Sequence, residues 1–111
     1  MKIAVENTSG LLVIHTEGRL DAITSIEFEK DVLPMIQQSG KPVLVDFGKL
    51  DYISSAGLRT LIFLTKEMKK NNNLLAICCL SQAVMEVFSI SGIDAIISIY
   101  PTIEEGITAL K

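Results

Sequence analysis

Tryptophan is absent, Phe and Tyr together make up 5% of the chain, and histidine occurs once. With so few aromatics, the interior has to be filled by Ile, Leu and Val. No stripe of Lys and Arg interleaved with rings is present, which argues against nucleic acid as a partner. The only basic cluster, Lys66, Lys69 and Lys70, falls at the end of an expected helix, where cations complement the helix dipole. The only cysteines, Cys78 and Cys79, are adjacent. Neighbouring cysteines rarely bridge each other, so both are expected to be reduced residues of a buried strand. A lone His15, with no Cys or carboxylate at ligand spacing, gives no metal site, and no cofactor is expected. His15 alternates with Ile14 and Thr16 and is expected to face solvent. The longest strongly apolar run, Leu74 to Leu80, is far too short to cross a bilayer. The start of the chain has no charged segment leading into a long apolar one, so no signal peptide is expected. These absences point to a cytoplasmic protein with no direct membrane insertion. Repeats, linkers and low-complexity stretches are also missing.

What is present suits one domain spanning 1–111. Apolar residues make up 49% of the chain and the net charge is −3, enough for one aliphatic core. Lys2 to Glu6 and Leu11 to Glu17 alternate like strands, and Asn7-Thr8-Ser9-Gly10 between them is turn chemistry, so a hairpin is expected. Arg19 to Asp21 continues as a short strand. A helix follows from Asp21 or Thr24 to about Gln38, with Ile26, Phe28, Val32, Leu33, Met35 and Ile36 on a broad buried face. Pro34 inside it is expected to kink or divide it, and Gly40 ends it. Val43 to Phe47 has the apolar character of a buried strand, interrupted by Asp46. A helix from about Ala56 to Lys70 would bury Leu58, Leu61, Ile62, Thr65 and Met68, and Asn71-Asn72-Asn73 breaks it.

Leu74 to Leu80 is the next expected buried strand. Ser81 caps a short helix with Val84, Val87 and Phe88 inside, closed by Gly92. Ile96 to Tyr100 forms a last strand. Thr102-Ile103-Glu104-Glu105 has capping-box spacing for a final helix, which Gly106 weakens. From residue 41 onward strands alternate with helices, the pattern of parallel pairing through right-handed crossovers. The expected architecture is α/β: a mixed sheet of four to five strands, an N-terminal hairpin and about four packed helices.

The stretch Asp51-Tyr52-Ile53-Ser54-Ser55-Ala56-Gly57-Leu58-Arg59 carries the chemistry. Two hydroxyls stand just before a helical run. A helix N-terminus offers free N–H groups and a partial positive charge. It suits a serine cap, and equally a phosphate. Enzyme constellations are missing. A Ser–His–Asp triad would need His15 to reach Ser55 across the hairpin, and no Gly-x-Ser-x-Gly elbow or phosphate-cradling glycine loop occurs. Asp46 either bonds backbone N–H groups of the serine turn or positions the Ser55 hydroxyl. Asp21 is a candidate cap for the first helix.

Taken in order, these segments resemble the STAS domain, and most closely the bacterial anti-sigma-factor antagonists. Gly18-Arg19-Leu20-Asp21 is similar to the family's Gly-x-Leu-Asp turn, and Val43-Leu44-Val45-Asp46-Phe47 to its central strand. Phe88-Ser89-Ile90-Ser91-Gly92-Ile93 resembles its late helix ending, and Tyr100-Pro101-Thr102-Ile103-Glu104-Glu105 the start of its last helix. Its Asp-Ser-Ser/Thr-Gly-Leu motif falls on Ser54-Ser55-Ala56-Gly57-Leu58. With Gly57-Leu58 as the anchor, the resemblance places the phospho-acceptor on Ser55, with Ser54 as the alternative. Ser54 replaces the family aspartate and Ala56 the second hydroxyl.

The resemblance implies a partner surface including Asp21, Ser54, Gly57, Leu58 and Arg59, supported by Asp46. It implies no intrinsic catalysis, a partner that is both anti-sigma factor and serine kinase, and a serine phosphatase that reverses the modification. A different class of function stays open: a STAS module acting without phosphorylation, as a scaffold or as a regulatory subunit of a signalling complex or transporter.

Overall fold

The computed structural model describes residues 1–111. The elements run β1 (Lys2–Thr8), β2 (Leu11–Leu20), α1 (Thr24–Ser39), β3 (Val43–Ile53), α2 (Ser55–Lys70), β4 (Leu75–Cys78), α3 (Gln82–Ser91), a 3-10 turn (Ile93–Ala95), β5 (Ser98–Tyr100) and α4 (Ile103–Leu110). The five strands lie side by side in chain order. Strand β1 pairs antiparallel with β2, and every later pair is parallel. The expected mixed sheet with its N-terminal hairpin and four helices is therefore the observed fold.

Strand order explains the layers. Each parallel crossover steps the same way across the sheet, so the right-handed rule puts its helix on the same face. Residues of α1, α2 and α3 accordingly share one core with Leu12, Ile14, Val43, Val45, Phe47, Leu75 and Ile77. The alternate strand residues Leu11, Val13, Leu44, Ala76 and Cys78 point the other way, onto α4. One short helix covers that face, and it must approach closely. A Cβ on Gly106 would lie 2.7 Å from Leu44 Cδ1. Glycine, expected only to weaken this helix, lets its backbone lie directly against the Leu44 side chain.

Several expectations change in detail. Strand β3 runs past the expected end at Phe47 to Ile53, so Asp46 lies well back from the serine turn. Helix α1 passes unbroken through Pro34. Within it Ser25, Phe28, Val32 and Ile36 are buried, but Ile26 is 70% exposed. Val87 of α3 is also exposed, Ile62 is half-buried, and Thr60 and Leu64 join the inner face of α2. Strand β4 stops at Cys78. Leu74 is exposed, and Cys79 turns out of the strand with φ of 67°. Strand β5 is shorter than expected, starting at Ser98.

Candidate functional site

The serine turn is built where β3 ends beside β2. Ile53 pairs with Leu20 in the sheet, and the Ser54 N–H donates to the Leu20 carbonyl at 2.8 Å. That bond places the start of α2 against the Gly18–Asp21 turn. Gly57 sits in the angle between them. A Cβ there would lie 2.8 Å from Ile53 Cγ1 and 2.9 Å from the Leu20 carbonyl oxygen. The motif glycine is thus a packing requirement, and the two motifs flank one corner of the molecule.

The two serines do different things. Ser54 is extended (φ −94°, ψ 172°), and its Oγ accepts the Gly57 N–H at 3.2 Å. It is the N-cap of α2. Ser55 is the first helical residue and is exposed. The cap leaves the Ser55 hydroxyl free, at the positive end of the helix.

Asp21 holds the adjoining turn. Its Oδ1 accepts the N–H groups of Ile23 and Thr24 at 3.0 and 2.9 Å. The Thr24 Oγ1 accepts the Asp21 N–H in return at 2.9 Å, a reciprocal box that opens α1. These bonds from Thr24, with help from Ile23 and Arg19, hold the Asp21 carboxyl below its ordinary pKa. Arg19 lies over the Tyr52 ring, 4.5 Å from its centroid.

Not all expected site residues meet here. Gly57 and Leu58 are buried, Leu58 inside the main core, so they shape the corner and present no surface to a partner. Arg59 is exposed on α2. Asp46 is seven residues before Ile53 on β3, roughly 20 Å back along the strand. Its Oδ2 bonds His15 Nδ1 at 2.7 Å and its Oδ1 accepts the Gly48 N–H at 2.8 Å. It does not support Ser55. His15, expected in solvent, is half-buried between Asp46 and Glu6, whose Oε1 is 2.9 Å from His15 Nε2.

A groove between α1 and α2 was not foreseen. It holds about 420 Å³ and is lined by Ala22, Ser25, Ile26, Ala56, Arg59 and Phe63 among others. Ile23 and Ile26 stand exposed beside it, and Phe63 is partly so. Ser25 Oγ is buried with no hydrogen-bond partner. The helical period put Ile26 on the core side, so its exposure was hidden from a reading of spacing alone.

Beta strands in chain order, three helices on one face and a capped serine corner define a STAS-type domain. The STAS domain family model matches residues 2–106, and the chain belongs to that family. BtrV of Bordetella bronchiseptica, named as a putative anti-sigma factor antagonist, is 31% identical over all of this chain and 96% of its own length. A Thermotoga maritima protein described as a putative anti-sigma factor antagonist has a crystal structure with a TM-score of 0.90 at 18% identity, covering 97% of this chain and 93% of that one. The Bacillus cell fate determinant SpoIIAA in its phosphorylated form aligns with a TM-score of 0.73 at 20% identity, over 99% of this chain and all of that one. No helix here is long and apolar enough to cross a membrane.

Proposed function

We propose that this protein is an anti-sigma-factor antagonist switched by phosphorylation of Ser55. The observation that carries the reading is an exposed, uncommitted hydroxyl at a helix N-terminus, beside an apolar groove. The groove offers Ile26 and Phe63 to a partner, with Ile23 exposed next to Ala22 in the chain, and exposed apolar surface of this kind marks interaction sites. The partner would be an anti-sigma factor that is also the serine kinase. ATP and catalysis belong to that partner, and a serine phosphatase restores the free hydroxyl. The family resemblance and the names of the relatives support the same reading.

The switch is electrostatic. Phosphorylation adds about −1.5 to −2 charges at neutral pH. The N-terminus of α2 stabilises that charge without a change of fold. A partner seated on the corner would then bury a dianion that it does not pair, at a cost of several kcal/mol. Each 1.4 kcal/mol is about tenfold in affinity, so binding falls by orders of magnitude. Ser54 suits the acceptor role less well, because its oxygen already caps the helix.

The test compares Ser55→Ala with authentic Ser55-phosphorylated protein for binding to the cognate anti-sigma factor by calorimetry. The alanine variant binds and the phosphoprotein does not. Equal affinities would remove the switch and leave a scaffold role, and mass spectrometry placing the phosphate on Ser54 alone would move the acceptor.

A further inference from the structure

On the opposite face of the sheet, the register lines up reactive side chains in a row. His15 pairs with Asp46 across β2 and β3, Asp46 with Cys78 across β3 and β4, and Cys78 with Tyr100 across β4 and β5. Paired residues on neighbouring strands point to the same side, so the row lies on the α4 face. In an extended strand Cys79 would point away from Cys78. Instead its backbone is left-handed, a conformation unfavourable for any residue with a Cβ. The result is that the Cys78 and Cys79 sulfurs and an Asp46 carboxylate oxygen all lie within 4.8 Å of one another.

The surroundings favour that convergence. Gly48 leaves the space open: a Cβ there would stand 3.0 Å from Asp46 Oδ1 and 3.5 Å from Cys79 Cβ. His15 holds Asp46 in place from behind and is itself held by Glu6. Ligands held by a second layer of hydrogen bonds are the usual construction of a metal centre. Cys78 is fully buried, Cys79 and Asp46 are half-buried, and both cysteines are free.

We infer that Cys78, Cys79 and Asp46 form a binding site for a thiophilic divalent cation, zinc by preference, oriented by the Asp46–His15–Glu6 chain. Two sulfurs and one carboxylate match zinc's ligand chemistry, and three protein donors leave one tetrahedral position open to water. Binding takes up the cation and releases the thiol protons to solvent. The site lies on the α4 face, roughly 20 Å along β3 from the serine corner. It does not rest on the proposed phosphorylation switch.

Cobalt(II) reports thiolate ligation through a sulfur-to-metal charge-transfer band. Metal-free protein titrated with Co²⁺ is expected to give that band at one equivalent per chain, and Zn²⁺ to abolish it by displacement. Asp46→Asn and Cys79→Ala each lower the affinity by about tenfold or more. Both variants are checked for folding by thermal melt, and a measurement on the wild-type chain needs neither. Zn²⁺ is expected to slow alkylation of Cys79 several-fold. No charge-transfer band in the folded wild-type protein would overturn the site. So would a band unchanged in the folded Asp46→Asn and Cys79→Ala variants, or alkylation at the same rate with and without Zn²⁺.

Discussion

Ser54 and Ser55 are chemically identical and separate only by backbone position. Ser54 Oγ satisfies an N–H that would otherwise have no partner, so Ser54→Ala is expected to lower stability by about 0.5–2 kcal/mol. Ser55 bonds nothing in the cap, and Ser55→Ala is expected to change stability by less than about 0.5 kcal/mol. Denaturant melts of the two variants check this. Equal losses would mean that both hydroxyls serve the fold, and Ser55 would not be a free acceptor. The pair of serines was legible in the sequence because capping is local chemistry within a few residues. Asp46 was not. Its partners His15 and Cys78 come from other strands, 31 and 32 positions away in the chain. Ligand-spacing rules look along one segment, and a row across a sheet has no such spacing. The left-handed turn at Cys79 was equally hidden, since no glycine or asparagine marks it.

At the scale of elements, periodicity placed every strand and helix, while strand lengths and exposed faces depended on neighbours. Val43 to Phe47 was evident from its apolar run. Its extension through Gly48, Lys49, Asp51 and Tyr52 was not, because polar residues there face outward while pairing with β2 holds them in the sheet. Two glycines show how contacts between elements set cost. At Gly57 an added methyl meets the Leu20 carbonyl oxygen, which belongs to backbone fixed by the sheet. At Gly106 it meets the methyls of Leu44, which can shift, and the helix gains about 1 kcal/mol from replacing glycine. Gly57→Ala is therefore expected to cost about 1–3 kcal/mol, and Gly106→Ala distinctly less. Chemical denaturation of both proteins decides the order, and a larger loss at Gly106 would contradict it. The α1–α2 groove belongs to the same scale. Ile26→Glu puts a charge on a side chain that is 70% exposed, so the fold should be unaffected. Affinity for the anti-sigma factor should fall at least about tenfold. Unchanged affinity would place the interface elsewhere.

Across the whole molecule, one side chain ties the hairpin to the parallel sheet. His15 on β2 reaches Glu6 on β1 and Asp46 on β3. As an imidazolium it donates both ring N–H groups to carboxylates, and its pKa is raised, first by the Glu6 bond and then by Asp46, against a smaller opposing effect of burial. The folded state thus holds this proton more tightly than the unfolded chain does. The stability it contributes is fully present below the ordinary histidine pKa of 6.5. That contribution is lost as pH rises through the higher folded value. Asp21 has the opposite sign. Its lowered pKa contributes stability above the ordinary carboxyl value of 3.8, and that contribution is lost as pH falls through the lower folded value. The two groups together favour the mildly acidic range between those ordinary values. Urea melts of wild type and His15→Gln across pH 5 to 9 are expected to show the largest difference at the acid end, narrowing toward the alkaline end. A constant difference across that range would show that His15 acts by packing alone, and that no proton holds β1 against the rest of the sheet.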